Sequence, residues 1–306
     1  MPHGVMFHHF CDARHPAGQG AISAEQFADM IAFLGRDRIL PAAEWQHRAE
    51  ADTLPPDALC LTFDDNLRCQ YDVALPVLRD HSLTAFWFVC TSVLDGAIEP
   101  LEVYRAFRTV HFESVETFYA DFFAAADRSE FAAELAEAIE RFDPGNYLAE
   151  FPFYTDADRR FRFVRDRVLG PRRYNALMDR MIAERGLDVR DLAANLWMND
   201  DCIRRLHADG HVIGLHSHTH PTRIEDLSPE EQEREYRLNA EALTKRLGDA
   251  PTTVSHPCNS YNAETLRILR DLGVRLGFRA NMAPGYTSAL EYPREDHANV
   301  LKEMGV

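Results

Sequence analysis

At 306 residues, 46% apolar and 27% charged, the chain suits one large catalytic domain or a domain with a substantial insertion, and its composition excludes a disordered or fibrous protein. The formal net charge of −16 is spread along the chain and repels polyphosphate backbones and anionic lipid, which argues against nucleic acid and membrane as partners. A small anionic substrate stays open, because a local arginine or metal outweighs the global field at contact distance.

The chain begins MPHGVMFHHF, without the basic stretch and apolar run of an export signal. No later segment offers about 18 uncharged apolar residues, so a cytoplasmic location is expected. GVMFHHF, ALCLTFDDN and LTAFWFVCTS then read as strands separated by the helical stretches AEQFADMIAFL and YDVALPVLRDH, a spacing that predicts parallel βα units. From about 98 to 194 the β signal disappears. Segments such as ETFYADFFAAADRSEFAAELAEAIERF and RRYNALMDRMIAERG repeat apolar residues at three and four, the mark of amphipathic helices that bury one face. This middle is expected to be a helical insertion shaping the substrate cleft, with a homo-oligomer contact as its rival role. The βα pattern resumes with DDCIRRLHADG and HVIGLHSH, a charged helix from about Pro229 to Leu247, the strand TTVSH, the helix AETLRILRDLG and the strand VRLGFRA. Residues 1–97 and 195–306 are therefore expected to form one α/β domain around the insertion 98–194. The six cysteines contain no CxxC pair and read as free thiols.

Two segments carry chemistry. TFDD, Thr62 to Asp65, places adjacent carboxylates at the end of a buried strand, where parallel α/β architectures gather their active sites. Two close anions make sense if one binds a metal and the other works as a base beside it, although Asp pairs at strand ends also serve as turns and caps. HSHTHP, residues 216–221, sets three histidines in five positions after the strand VIGL. His216 and His220 can reach one ion if the segment turns tightly, and His218 if it stays extended. One carboxylate with two imidazoles leaves coordination positions open, as a catalytic metal site requires.

LTFDD, HSHTHP and VSHPCNSYN in this order resemble the first three motifs of the polysaccharide deacetylases, carbohydrate esterase family four. The resemblance covers about residues 1–97 and 195–300 and not the helical middle. It implies a distorted (β/α) barrel, with the insertion between the first and second motifs, and removal of an N- or O-acetyl group from a sugar with one divalent metal, zinc foremost. By motif match, Asp64 is the expected base, and Asp65, His216 and His220 the metal ligands. The third motif departs from the family: Cys258 and Asn259 stand where an aromatic and a glycine are usual, which changes the groove wall. Cys258 or its neighbours are nonetheless expected to supply the backbone donor to the oxyanion.

EYPREDHANVL resembles a Pro-Arg-x-Asp element near the end of the family's barrel. Arg294 is expected to anchor a substrate carboxylate or to orient Asp64, with Asp296 behind it. The family's leucine-x-histidine pattern is absent, so His297 is the expected general acid. Arg279 is a further cleft residue, and one of His8 and His9, assigned here as His9, is expected to line the site. His218 is expected to support the ligands from behind, and Trp87 to belong to the core. The reading that follows is a cytoplasmic deacetylase acting on a soluble or nucleotide-linked sugar in glycan biosynthesis. Its rivals are a hydrolase of a non-sugar amide, which releases no acetate, and a degenerate carbohydrate-binding protein.

Overall fold

The apolar runs become seven short strands in a computed structural model that describes residues 1–149, 154–285 and 288–305. They are β1 His3–Phe7, β2 Leu59–Phe63, β3 Phe86–Val89, β4 Val212–Leu215, β5 Thr253–Ser255, β6 Leu276–Phe278 and β7 Arg294–Asp296. All pair in parallel in the order β6-β5-β4-β3-β2-β1-β7. The two edges almost meet. Phe278 of β6 bridges Tyr292, just ahead of β7, and Tyr292 donates to the Gly277 carbonyl (2.8 Å) while accepting from the Arg279 N–H (3.0 Å). Gly277 permits this approach, since a Cβ there would lie 2.4 Å from the Leu290 carbonyl oxygen. The result is the distorted (β/α) barrel expected from the motifs, closed by a last strand, Arg294–Asp296, that the sequence pattern does not announce.

Both faces of these strands are buried, and alternate residues feed two separate cores. Val5, Phe7, Leu61, Phe63, Trp87, Val89, Ile213, Leu215 and Val254 face the surrounding helices; Trp87 stacks on Phe63 at 4.4 Å and is core, not a sugar platform. Cys60, Phe86, Phe88, Leu276 and Phe278 fill the barrel interior together with Trp45, which lies on a helix, Ala42–Glu50, whose weak pattern had escaped the sequence reading. Continuing the inward alternation two residues past Thr62, Gly214 and Met6 brings Asp64, His216 and His8 to one mouth.

The chain divides into two compact units, Met1–Glu99 with Asn195–Val306, and Pro100–Ala194. The second contains helices Pro100–Val110, Val115–Asp127, Ala132–Glu140, Asp156–Phe163, Gly170–Glu184 and Val189–Ala193, with no strand among the described residues. Ser114 and Thr155 cap two of them, and buried Phe107, Phe118, Phe122, Phe161 and Tyr174 form its aromatic core. No helix among the described residues is long and apolar enough to cross a membrane. All six cysteines are free thiols.

Candidate metal centre

Asp65 follows β2, and His216 and His220 follow β4, at the C-terminal mouth of the barrel. The Nε2 atoms of His216 and His220 each lie 3.2 Å from Asp65 Oδ1, and one ligand atom from each of the three residues falls within 4.8 Å of the others. The loops that present them are held in uncommon backbone conformations. Asp65, Asn66, Ser217, His220, Cys258 and Asn259, all in or next to the three motif segments, have φ between 50° and 74°. Each costs on the order of 1 kcal/mol, which the surrounding hydrogen bonds must over-determine.

Those bonds come from deep in the fold. Buried Asn239, on the helix Pro229–Leu247, accepts the His216 N–H (2.9 Å) and donates to the Val89 carbonyl and Thr91 hydroxyl. Glu235 on the same helix accepts the N–H groups of His218 and Thr219 (3.0 and 2.8 Å). Gln70 opens a wide helical turn, Gln70–Ala74, and donates to the carbonyls of His8 and Asp64. Such wide turns recur at functional sites.

The donor set fits a divalent cation. Nδ1 of His216 faces the Ser255 carbonyl at 2.9 Å, and a carbonyl only accepts, so that nitrogen carries the proton. In the neutral ring Nε2 then presents a bare lone pair towards the Asp65 carboxylate, an arrangement that a bound cation turns from repulsive to attractive. Burial pushes the Asp65 carboxyl up, but when the two rings are instead protonated, the His220 charge and the hydrogen bonds that His216 and His220 then donate outweigh it and hold it well below the usual range. Two imidazoles and one carboxylate suit zinc and also admit cobalt, nickel, manganese or iron.

Asp64 sits beside this group, 2% exposed. Arg294 enters from the far end of the barrel, its stem passing Gly4, where a Cβ would come within 3.1 Å of the arginine Cγ. Its guanidinium donates to both Asp64 oxygens at 2.8 Å, to the Thr62 and Ser255 hydroxyls (3.2 and 2.7 Å) and to the Arg279 carbonyl (3.0 Å). Ser255 in turn donates to Asp64 Oδ2 at 3.0 Å. Burial alone raises the Asp64 carboxyl; the Arg294 charge, His216 and the Arg294 hydrogen bonds more than reverse this and keep it below the ordinary value.

The remaining expected residues scatter. His8, not His9, approaches the carboxylates, with Nε2 4.0 Å from Asp64 Oδ2 and 3.8 Å from Asp65 Oδ2; His9 stacks beside it at 6.2 Å. His297, expected as the general acid, is 5% exposed and stacked on Phe7, with its two ring nitrogens facing the Gly20 and Met6 carbonyls at 2.9 and 3.3 Å. Burial pushes this imidazole below its ordinary value, and the neutral ring has one N–H to give to one of those two carbonyls, which holds it in the packing against β1. Asp296 caps the helix His297–Met304 through the Ala298 N–H and does not back Arg294. Arg294 is buried beneath Asp64 and offers no surface to a substrate. His218 turns to the Thr91 hydroxyl (2.9 Å), while its carbonyl accepts the Ser92 N–H. Arg279 is buried and donates to the Ala283 carbonyl. Cys258 is exposed. Beside it, His256 stacks on Tyr261 at 4.1 Å, and burial pushes its imidazole down to about 4. Ser255, Asn239, Gln70 and Glu235 had not been singled out. Only Ser255, inside the third motif, carried a local signal.

Residues 182–277 match the family model described as polysaccharide deacetylase, a stretch that contains the HSHTHP and VSHPCNSYN segments. No curated protein sequence matches the chain. Among solved structures, the fold is similar to that of the Streptococcus pyogenes deacetylase PplD in complex with acetate (TM-score 0.55, 16% identity, covering 98% of this chain and 96% of that one). It is also similar to IcaB from Ammonifex degensii (TM-score 0.53, 14% identity, 96% and 90% covered). A third likeness is to a de-N-acetylase from Aggregatibacter actinomycetemcomitans (TM-score 0.54, 11% identity, 96% and 93% covered). At these identities the likeness is one of fold.

Proposed function

We propose that this chain, which has the polysaccharide-deacetylase barrel and matches the family over residues 182–277, is a metal-dependent hydrolase that removes an acetyl group from a sugar. The observation that carries the reading is the juxtaposition of an Asp–His–His group with a second carboxylate locked by a buried arginine, at the mouth where the strands end. Asp65, His216 and His220 hold the cation, zinc by preference, which when bound polarises the acetyl carbonyl as a Lewis acid. Asp64, kept ionised by Arg294, accepts the proton of the attacking water. Arg294 and Ser255 are positioning residues: they fix the plane of that carboxylate and touch no substrate. His8, on the carboxylates and partly open to solvent, takes the part first given to His297 and returns a proton to the departing amine or alcohol.

The substrate favoured here is a small soluble or nucleotide-linked acetylated sugar of glycan biosynthesis. It is supported by the third motif, in which Cys258 and Asn259 replace the aromatic and glycine that line the groove of polymer-acting relatives. The test is acetate release by the zinc-loaded protein from N-acetylated monosaccharides, nucleotide-linked sugars and a long acetylated glycan in parallel. Release from the small sugars supports the proposal. Faster release from the long glycan overturns the substrate class, and no acetate from any of them overturns the deacetylase reading in favour of another amide or a binding role.

A further inference from the structure

The helix Pro229–Leu247 meets the HSHTHP segment through Glu235 and Asn239, which stand four residues apart and so share one helix face. They serve different parts of the segment. Asn239, 0% exposed, takes the His216 N–H where β4 ends. Glu235, half-buried, takes the turn beyond it: Oε2 accepts the His218 and Thr219 N–H groups at 3.0 and 2.8 Å, and Oε1 accepts the Thr219 hydroxyl at 2.8 Å. Successive N–H groups of a tight turn form a small concavity that favours an anion, and here a carboxylate of the same chain fills it.

The two histidines that bound this turn are held differently. His216 is fixed by the end of β4, by Asn239 and by the Ser255 carbonyl at its Nδ1 (2.9 Å). His220 stands at the far side of a turn in which Ser217 and His220 itself have φ of 60° and 54°, a region uncommon for non-glycine residues and kept where the surroundings over-determine it. The ties that do so here are few. Ser217 Oγ accepts the His220 N–H (3.2 Å), the His218 carbonyl accepts the Ser92 N–H (2.9 Å), and Glu235 accepts the two N–H groups between. Hydrogen bonds to an ionised acceptor are roughly twice as strong as neutral ones, so the carboxylate supplies the strongest of these ties. Neither His218 nor Thr219 supplies an atom to the Asp65–His216–His220 group. What Glu235 holds is therefore the spacing between two of its members, whose Nε2 atoms each lie 3.2 Å from Asp65 Oδ1.

We propose that Glu235 is a positioning residue of the metal centre: by holding the turn it sets His220 against His216 and Asp65, and it raises cation affinity through that geometry rather than through its charge. This rests on the metal-centre reading above. Glu235→Gln separates the two effects. The amide oxygen accepts the same two N–H groups, and the hydroxyl of exposed Thr219, both donor and acceptor, turns to accept from the amide nitrogen. Glu235→Ala removes charge and contacts together. Glu241, exposed on the same helix and paired with Arg237, provides a control, since Glu241→Ala removes a charge and leaves the turn's bonds in place.

The zinc affinity of the full, metal-stripped chain is measured by competition with a chromophoric chelator for wild type, Glu235→Gln, Glu235→Ala and Glu241→Ala, together with the melting temperature of each stripped protein. Glu235→Ala is expected to weaken zinc on the order of 10- to 100-fold, the usual size for loss of a residue that orients a metal ligand. Glu235→Gln and Glu241→Ala are expected to stay within about 3-fold of wild type, the scale of a solvent-exposed charge. Wild-type affinity in Glu235→Ala overturns the proposal, and a lower stripped melting temperature alongside it marks Glu235 as a structural anchor only. A loss in Glu235→Gln or Glu241→Ala as large as in Glu235→Ala also overturns it, because charge then carries the effect. Wild type that binds no zinc is a different failure: it removes the metal-centre reading and this inference with it.

Discussion

Arg294 and Asp64 meet as a two-pronged pair inside the barrel, both contacts at 2.8 Å and both side chains almost fully withdrawn from solvent. An arginine fork matches a carboxylate in plane as well as in charge, so this contact sets which way Asp64 faces as well as its ionisation. Lysine at 294 would keep the charge and lose the plane. Arg294→Lys is expected to reduce kcat by roughly 100-fold with little change in KM, since 1.36 kcal/mol corresponds to a factor of ten.

Removing the positive charge at 294 has a larger structural effect. Arg294→Gln leaves a buried carboxylate uncompensated and is expected to cost about 3–5 kcal/mol in urea unfolding. The pH dependence follows from the sign of the shift. Asp64 is held below its ordinary value, so its contribution is complete above the unfolded carboxylate value of about 3.9 and is lost as pH falls through the lower folded value. Wild type is therefore expected to keep this increment at pH 5 and shed it in the acid range below 4. Arg294→Gln, with no such increment, should show a flatter acid limb. Equal acid limbs would remove the pair as its source.

Asp64→Asn is expected to retain one equivalent of metal by elemental mass spectrometry while turnover drops about 10²- to 10⁴-fold. His220→Ala and Asp65→Ala are expected to lose metal and turnover together. Near-normal turnover in Asp64→Asn would remove it as the base.

His8 and His297 make opposite predictions. His8→Gln is expected to lower kcat on the order of 100-fold with the melting temperature kept. His297→Gln is expected to keep kcat near wild type and to lower the melting temperature instead, because its ring packs on Phe7 and hydrogen-bonds to the main chain. A large loss of kcat in His297→Gln with none in His8→Gln would reverse the assignment.

Gly277→Ala tests the barrel's closure. A Cβ 2.4 Å from the Leu290 carbonyl pushes against main chain, which gives less readily than a side-chain tip. The expected cost is about 1–3 kcal/mol, read as a lower unfolding midpoint.

The motifs were legible because TFDD and HSHTHP put charged and imidazole groups directly after apolar runs, where nothing in a buried strand calls for them. Which of His8 and His9 faces the site was not legible. β1 is covered on both faces, so Val5, Met6 and Phe7 are all apolar and their alternation leaves no trace. Asn239 and Glu235 were hidden for the opposite reason: they sit in a helix most of whose charged residues are solvated, and only the fold distinguishes an asparagine at 0% exposure from its neighbours. Ser255 looked like the end of a strand. His297 carried a suggestive sequence context, but the helix that begins there turns its ring into the packing under β1.

Arg294 lies on the last strand of a barrel whose other polar groups at Asp64, Thr62 and Ser255 come from the strands β2 and β5. A chain with six strands in place would already hold the Asp65–His216–His220 group, yet Asp64 would lack a counter-ion and a fixed plane. On the proposed reading, hydrolysis therefore depends on the completed ring and not on the Asp–His–His group alone. On the same reading, proteolytic loss of the segment after Tyr292 is expected to abolish turnover before it abolishes cation binding.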